Sequence, residues 1–182
     1  MNLVNIYLVV ILVTLVLEYL VQSTARSLNL RSLQSDLPEA FKGYYDDEKY
    51  KRSQEYAKAN GRFGMVSASF SLVVTLAFIL GGGFDIVDVW TRSFGFGELS
   101  TGLVFFGVLF LLSDIASMPF SLYQTFVIEQ DFGFNKMTVG MYFKDKIKAY
   151  ALVAVLGGLL LSGILYFFQE AGELAWLWAW AI

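Results

Sequence analysis

Residues 63–83 read FGMVSASFSLVVTLAFILGGG, without one charged side chain. As a helix rising about 1.5 Å per residue, this stretch reaches about 30 Å, the thickness of the hydrocarbon core of a bilayer. The pattern recurs on both sides of it. Leu3 to Val21 is apolar apart from Asn5, Tyr7, Thr14, Glu18 and Tyr19. Thr101 to about Tyr123 holds Asp114 and Pro119 within an otherwise apolar run, and Tyr150 to Phe168 carries no charge. A further run begins at Leu174 and reaches only Ile182, about 14 Å as a helix, or half of a bilayer core. Trp176, Trp178 and Trp180 sit in it, the residue type that gathers at the membrane interface. The pattern predicts an all-α fold: a polytopic transmembrane helix bundle with four full spans and the start of a fifth, truncated inside that helix.

Composition agrees with this class. Of the 182 residues, 57% are hydrophobic and only 16% charged, against roughly 25% charged in an ordinary soluble domain. The net charge of −3 offers no basic face for a nucleic acid, so the lipid bilayer is the expected partner and nucleic acid is not. The chain has no Cys and no His. Disulfides, thiolate nucleophiles and the usual zinc, copper and haem ligands are excluded with them, as is the usual general base at neutral pH. A metal site built only from carboxylates would need its own evidence, and no catalytic residue, metal site or cofactor is expected in this chain, which is read as no enzyme by itself.

The run from Leu3 is read as a retained spanning helix over residues 1–21. Ser23-Thr24-Ala25 resembles a signal cleavage site, but no Lys or Arg precedes the run and the run is long for a signal core. Residues 22–62 form a loop carrying Arg26, Arg31, Lys42, Lys49, Lys51, Arg52, Lys58 and Arg62, and residues 124–149 form another carrying Lys136, Lys144, Lys146 and Lys148. Arg92 alone lies between the second and third runs, and the turn after the fourth has Glu170 and Glu173 but no base. Basic loops stay on the cytoplasmic side, so the expected N-terminus is outside. Within the first loop Asp46 is a candidate N-cap. The pairs Asp47/Lys51 and Glu48/Arg52 have the favourable acid-first i,i+4 spacing, predicting a cytoplasmic amphipathic helix over Asp46–Asn60 that lies on the membrane or leads into the second span. Residues 63–182 then carry spans two to five.

Small residues recur at every fourth position in two spans, Ser67-Ser71-Thr75 and Ala154-Gly158-Ser162. Helix packing accounts for such stripes better than a substrate path does. Two acids lie inside apolar runs. Glu18 is within a turn of the cytoplasmic end of its helix and can reach the interface. Asp114 lies deeper, with Pro119 five residues on freeing a backbone carbonyl, and is expected to line a watered cavity rather than to transfer protons. The most distinctive stretch runs from Phe126 through Glu129 to Phe132-Gly133-Phe134-Asn135. Two aromatics around a glycine predict a tight turn with Phe132 and Phe134 buried, Gly133 in a conformation other residues resist, and Asn135 bonded to backbone. Glu129, Phe132, Gly133, Phe134 and Asn135 are candidates either for fold support or for contact with a cap or substrate, fold support being preferred.

Pro119, Tyr123, Phe126 to Glu129, Phe132 to Asn135 and Phe143-x-Asp145-x-x-Lys148 resemble the signature of the type I CAAX prenyl endopeptidase family. Pro38, Tyr45, Tyr50, Ser53, Tyr56 and the Trp-rich fifth segment are similar to it too, so the likeness runs from about Leu30 to the end. The resemblance implies the N-terminal membrane domain of a zinc metalloendopeptidase whose helices enclose an intramembrane chamber. A catalytic domain on the cytoplasmic side caps it, and prenylated CAAX proteins or broader peptide substrates are cleaved. It further implies zinc in the full-length parent, held by a His-Glu-x-x-His helix and a further Glu beyond the fifth span, and a bacterial inner-membrane location. Without His, no catalytic residue of the family maps onto this chain. The alternatives are a stand-alone membrane scaffold or partner-binding module and, in a third class, a small transporter using Asp114, for which no internal repeat speaks.

Overall fold

The computed structural model describes residues 5–33, 36–39, 42–44 and 46–171. The expected fifth span from Leu174, with its three Trp residues, and also Glu173 and Tyr45 lie outside the described residues. Among those described, the regular structure is helical: α1 (Ile6–Ser32), α2 (Asp47–Leu80), α3 (Gly83–Arg92), α4 (Glu98–Asp131) and α5 (Val139–Glu170). All but α3 are long and apolar enough to cross a membrane. None of the residues in their most apolar windows is buried by the protein itself. Large side chains such as Ile6, Val73, Leu111, Leu159 and Leu160 are exposed. An apolar surface of this extent is stable only against hydrocarbon or other protein.

The helices outrun the apolar stretches. The loop expected over 22–62 shrinks to residues 33–46, because 22–37 contains no Gly or Pro to stop α1. Asp46 caps α2, its carboxylate accepting from the amides of Glu48 at 2.9 Å and Lys49 at 3.2 Å. The acid-first helix then leads directly into the second span instead of lying on the membrane. The loop expected over 124–149 likewise shrinks to 132–138. α4 runs on to Asp131, and Thr138 starts α5 by accepting from the amide of Met141 at 3.3 Å. Two π-helical turns interrupt the α geometry, Gln124–Ile128 in α4 and Val153–Gly157 in α5.

The chain forms two compact units, residues 1–81 with 117–136 and residues 82–116 with 137–182. In the first, α1 and α2 form an antiparallel hairpin, matched at Tyr19/Ser69, Arg26/Gly64 and Leu30/Gly61. A Cβ on Gly61 would stand 2.5 Å from the tip of Leu30, and one on Gly64 2.9 Å from the Arg26 guanidinium. These glycines let the helices approach, as small residues do in membranes. Tyr19 and Ser69 add a hydroxyl pair at 2.7 Å. The stripe Ser67-Ser71-Thr75 is not this contact, and Ser71 and Thr75 are exposed. The later part of α4 packs on α2 through rings: Phe63 on Tyr123 at 4.8 Å and Phe70 on Phe120 at 4.7 Å.

In the second unit, α4 and α5 run antiparallel, with Gly102 beside Leu165 at one end and Phe110 beside Tyr150 toward the other. The short α3 was not foreseen. It buries Val87 and Thr91, whose hydroxyl donates to the Asp88 carbonyl at 3.0 Å. Arg92 donates to Asp88 at 2.7 Å, and that bond raises the guanidinium pKa above its ordinary value.

Candidate functional site

Among the described residues the candidate site residues fall at two places, one in each unit. In the second unit Asp114 accepts from Lys146 Nζ at 2.9 Å and from the Tyr150 hydroxyl. Lys146 and Tyr150 lie one helical turn apart on α5, so both reach the same α4 carboxylate. The ammonium also sits 5.5 Å from the Tyr142 ring and 5.9 Å from the Tyr150 ring. The Asp114 and Lys146 side chains are 21% and 15% exposed. An ion pair satisfied this way is the usual condition for a charge at membrane depth. Pro119 does not break α4; the helix continues through it to the π turn at Gln124. Beside Asp114 opens a cleft of about 710 Å³ between α4 and α5, lined by apolar side chains with the Tyr150 ring at one end. Asp114 itself is not among the lining residues.

In the first unit the turn after α4 is held by its own backbone. The amides of Phe134 and Asn135 both donate to the Glu129 carbonyl, at 2.8 and 3.1 Å, and that of Gly133 to Gln130 at 3.0 Å. Gly133 has φ of 80°, in the left-handed region that favours glycine. Arg52 of α2 donates to the Asp131 carbonyl at 3.4 Å, and Tyr56 meets both Phe132 and Phe134, at 5.3 and 4.7 Å between ring centroids. Asn60 and Gln124 join side chains at the start of the π turn. The expectation that Phe134 is buried fails: it is 62% exposed, its ring tilted against that of Tyr56. Phe132 is half-buried. Both rings meet the single ring of Tyr56, which covers only part of Phe134.

Residues 26–182 match the profile of the family described as CAAX prenyl protease N-terminal, five membrane helices. The chain belongs to this family. It is 28% identical over 188 residues to the CAAX prenyl protease 1 homolog of Oryza sativa subsp. japonica, covering 96% of this chain and 43% of that protein. With CAAX prenyl protease 1 of Saccharomyces cerevisiae it shares 31% over 150 residues, 75% of this chain and 32% of that one. With the Homo sapiens homolog it shares 32% over 144 residues, 74% of this chain and 30% of that one. The crystal structure of S. mikatae Ste24p superposes with a TM-score of 0.84 at 26% identity, covering 94% of this chain and 42% of that one. The chain thus spans about 30 to 43% of the length of these relatives. It is an integral, multi-pass N-terminal membrane domain of the CAAX prenyl protease family.

The zinc that the sequence resemblance implies does not fit the residues present. The chain has no His or Cys, and among the described residues no group of three or more Asp or Glu side chains could hold an ion. The partners of Asp114 are not legible in the sequence, where Lys146 falls within the loop predicted over 124–149. Its i,i+4 spacing to Tyr150, immediately before an apolar run, was the available signal. The π turns left no signal in the residue pattern.

Proposed function

We propose that this chain forms part of the wall of an intramembrane chamber in a zinc metalloendopeptidase, and supports a catalytic domain supplied by the remainder of the parent protein. The observation that carries the reading is the family match over 26–182 on a chain without His or Cys, among whose described residues no acidic group could hold a metal ion. The ion pair between α4 and α5 and the clasped turn at 129–135 are then wall fasteners, and substrate cleavage belongs to the parent. Zinc in that parent would polarise a water and the scissile carbonyl. In orientation, the N-terminus lies outside and both lysine- and arginine-rich connections face the cytoplasm. The relatives reported above are eukaryotic, so the bacterial inner membrane expected from the resemblance draws no support from them and stays part of the proposal.

The test compares two purified proteins, the full-length parent and this chain, for stoichiometric zinc after chelation and dialysis and for cleavage of a prenylated CAAX peptide. The parent is expected to hold zinc and cleave, and this chain to do neither. Zinc held tightly by this chain, or a parent that holds none, would overturn the reading.

A further inference from the structure

Helix α3 is too short to span the bilayer, and three stripes of different character run along it. At about 100° per residue, Gly83, Val87 and Thr91 share one stripe, and all three are buried. Asp85, Asp88 and Arg92 share a second, where Arg92 donates to Asp88 at 2.7 Å. Ile86, Val89 and Trp90 share the third and are 66%, 69% and 50% exposed. We propose that α3 lies in the plane of the bilayer surface, with Ile86, Val89 and Trp90 seated among the lipid headgroups and upper acyl carbons. The first stripe then faces protein and the second faces water. Ser93, the exposed C-cap, ends the apolar stripe with a hydroxyl at its aqueous edge.

Length and position select lipid as the occupant. Ten residues of helix reach about 15 Å, half of a hydrocarbon core, so α3 cannot cross. It is nevertheless tied to the edge of that core. Only residues 93–97 separate it from α4, and this connection folds back on α3: the Gly95 amide donates to the Arg92 carbonyl at 3.1 Å, with φ of 68° at Gly95. At the other end of the connection the Thr101 hydroxyl donates to the Phe96 carbonyl at 3.2 Å, and Thr101 opens the apolar run of α4. The apolar surface follows the same path. Trp90 meets Phe94 edge to face at 4.9 Å, Phe94 stacks on Phe96 at 5.7 Å, and both phenylalanines are about half exposed. Residues 93–97 carry no charge, so the stripe is continuous with the membrane-facing surface of α4. Trp90 stands where aromatic belts place this residue, at the boundary of hydrocarbon and water. The water-facing stripe holds two acids and one base, unlike the lysine-rich polar face that binds anionic lipid, so a zwitterionic lipid suffices.

The experiment uses the full-length parent, with any cysteine of its remainder replaced by serine, reconstituted in phosphatidylcholine vesicles. Single cysteines at Asp85, Ile86 and Val89, all exposed positions, carry an environment-sensitive fluorophore. Lipids with nitroxides at shallow or deep acyl positions report its depth, and aqueous iodide reports its contact with water. Ile86→Cys and Val89→Cys are expected to be quenched mainly by the shallow nitroxide, at a depth of about 5–10 Å into the headgroup and acyl boundary. Asp85→Cys should be quenched by iodide and by neither nitroxide. Iodide quenching of Val89→Cys equal to that of Asp85→Cys would put the stripe in water and overturn the proposal. Shielding of Val89→Cys from iodide and from both nitroxides would also overturn it, the result expected if the parent's remainder or a second copy covers the stripe. So would stronger quenching by the deep nitroxide, which would place α3 inside the hydrocarbon core.

Discussion

Asp114 shows how much a single intramembrane carboxylate depends on its partners. Lys146 and Tyr150 each bond one of its two oxygens, and Lys146→Met removes the cation that faces the carboxylate between α4 and α5. Breaking a fully buried pair costs about 3 to 5 kcal/mol, but both side chains here keep some exposure, so the expected loss is about 1 to 3 kcal/mol. Asp114→Leu combined with Lys146→Met removes both charges and should recover most of it, because apolar replacement of a paired site is close to neutral. Melting in detergent checks this, and a single variant that melts with the unmodified chain shows the pair contributes nothing. At the other site the exposed face of Phe134 lowers what its removal can cost. Phe134→Ala should lose about 0.5 to 1.5 kcal/mol, the worth of a ring contact with Tyr56, rather than the roughly 3 to 5 kcal/mol of a buried ring. Gly133→Ala forces a Cβ into a left-handed turn and should cost about 1 to 2 kcal/mol. Gly133 thus outranks its bulky neighbour in the same melting series, the reverse of what ring size alone suggests.

At the scale of the elements, the α1–α2 hairpin depends on two glycines. Gly61→Leu would drive its side chain into Leu30, and Gly64→Leu would displace the Arg26 guanidinium. Overpacking of this kind costs about 1 to 3 kcal/mol, so either variant should melt below the unmodified chain while Ser71→Leu, on an exposed face, should not. Equal loss at Ser71 would show that the Ser67-Ser71-Thr75 stripe is the true contact. This contrast marks where the sequence was legible. A run such as 63–83 announces a span because hydrocarbon demands about 20 apolar residues in a row. The hydropathy of a run, however, reports only the length inside hydrocarbon, and α1 and α5 continue until a residue stops or starts them. Leu33 turns extended at the end of α1, and Thr138 caps the start of α5. Small residues occupy more than one face of α2, and only the partner helix decides which face is used. The turn at Gly133 was readable from its aromatic-glycine-aromatic pattern because glycine has a local reason to be there. The π turns and the reach of Lys146 to Asp114 were not, since both arise from pairing between segments far apart in the chain.

For the whole molecule the open physical question is which way it threads the bilayer. Twelve of the 13 basic residues lie before the second apolar run or between the third and fourth, with Arg92 the exception. The structure moves many of them from loops onto helix ends, Lys49 to Arg62 onto the first turns of α2 and Lys144 to Lys148 onto those of α5, without changing the side of the membrane they would share. Near-surface lysine and arginine are held on the cytoplasmic face during insertion, so the end of α2 near Ser53 and the start of α5 should both be inside, with α3 and Arg92 outside. Because the chain has no Cys, single cysteines report without background. Ser53→Cys and Lys144→Cys should be shielded from an impermeant thiol reagent in right-side-out vesicles and react after the membrane is opened, whereas Ser93→Cys should react at once. Ser93 is exposed, so its labelling depends on its side of the membrane rather than on burial in the protein. Labelling of Ser53→Cys and Lys144→Cys with Ser93→Cys protected would invert the orientation. Labelling of only one of the first two would break the four-span threading itself, since two spans separate them and must return the chain to the side it left.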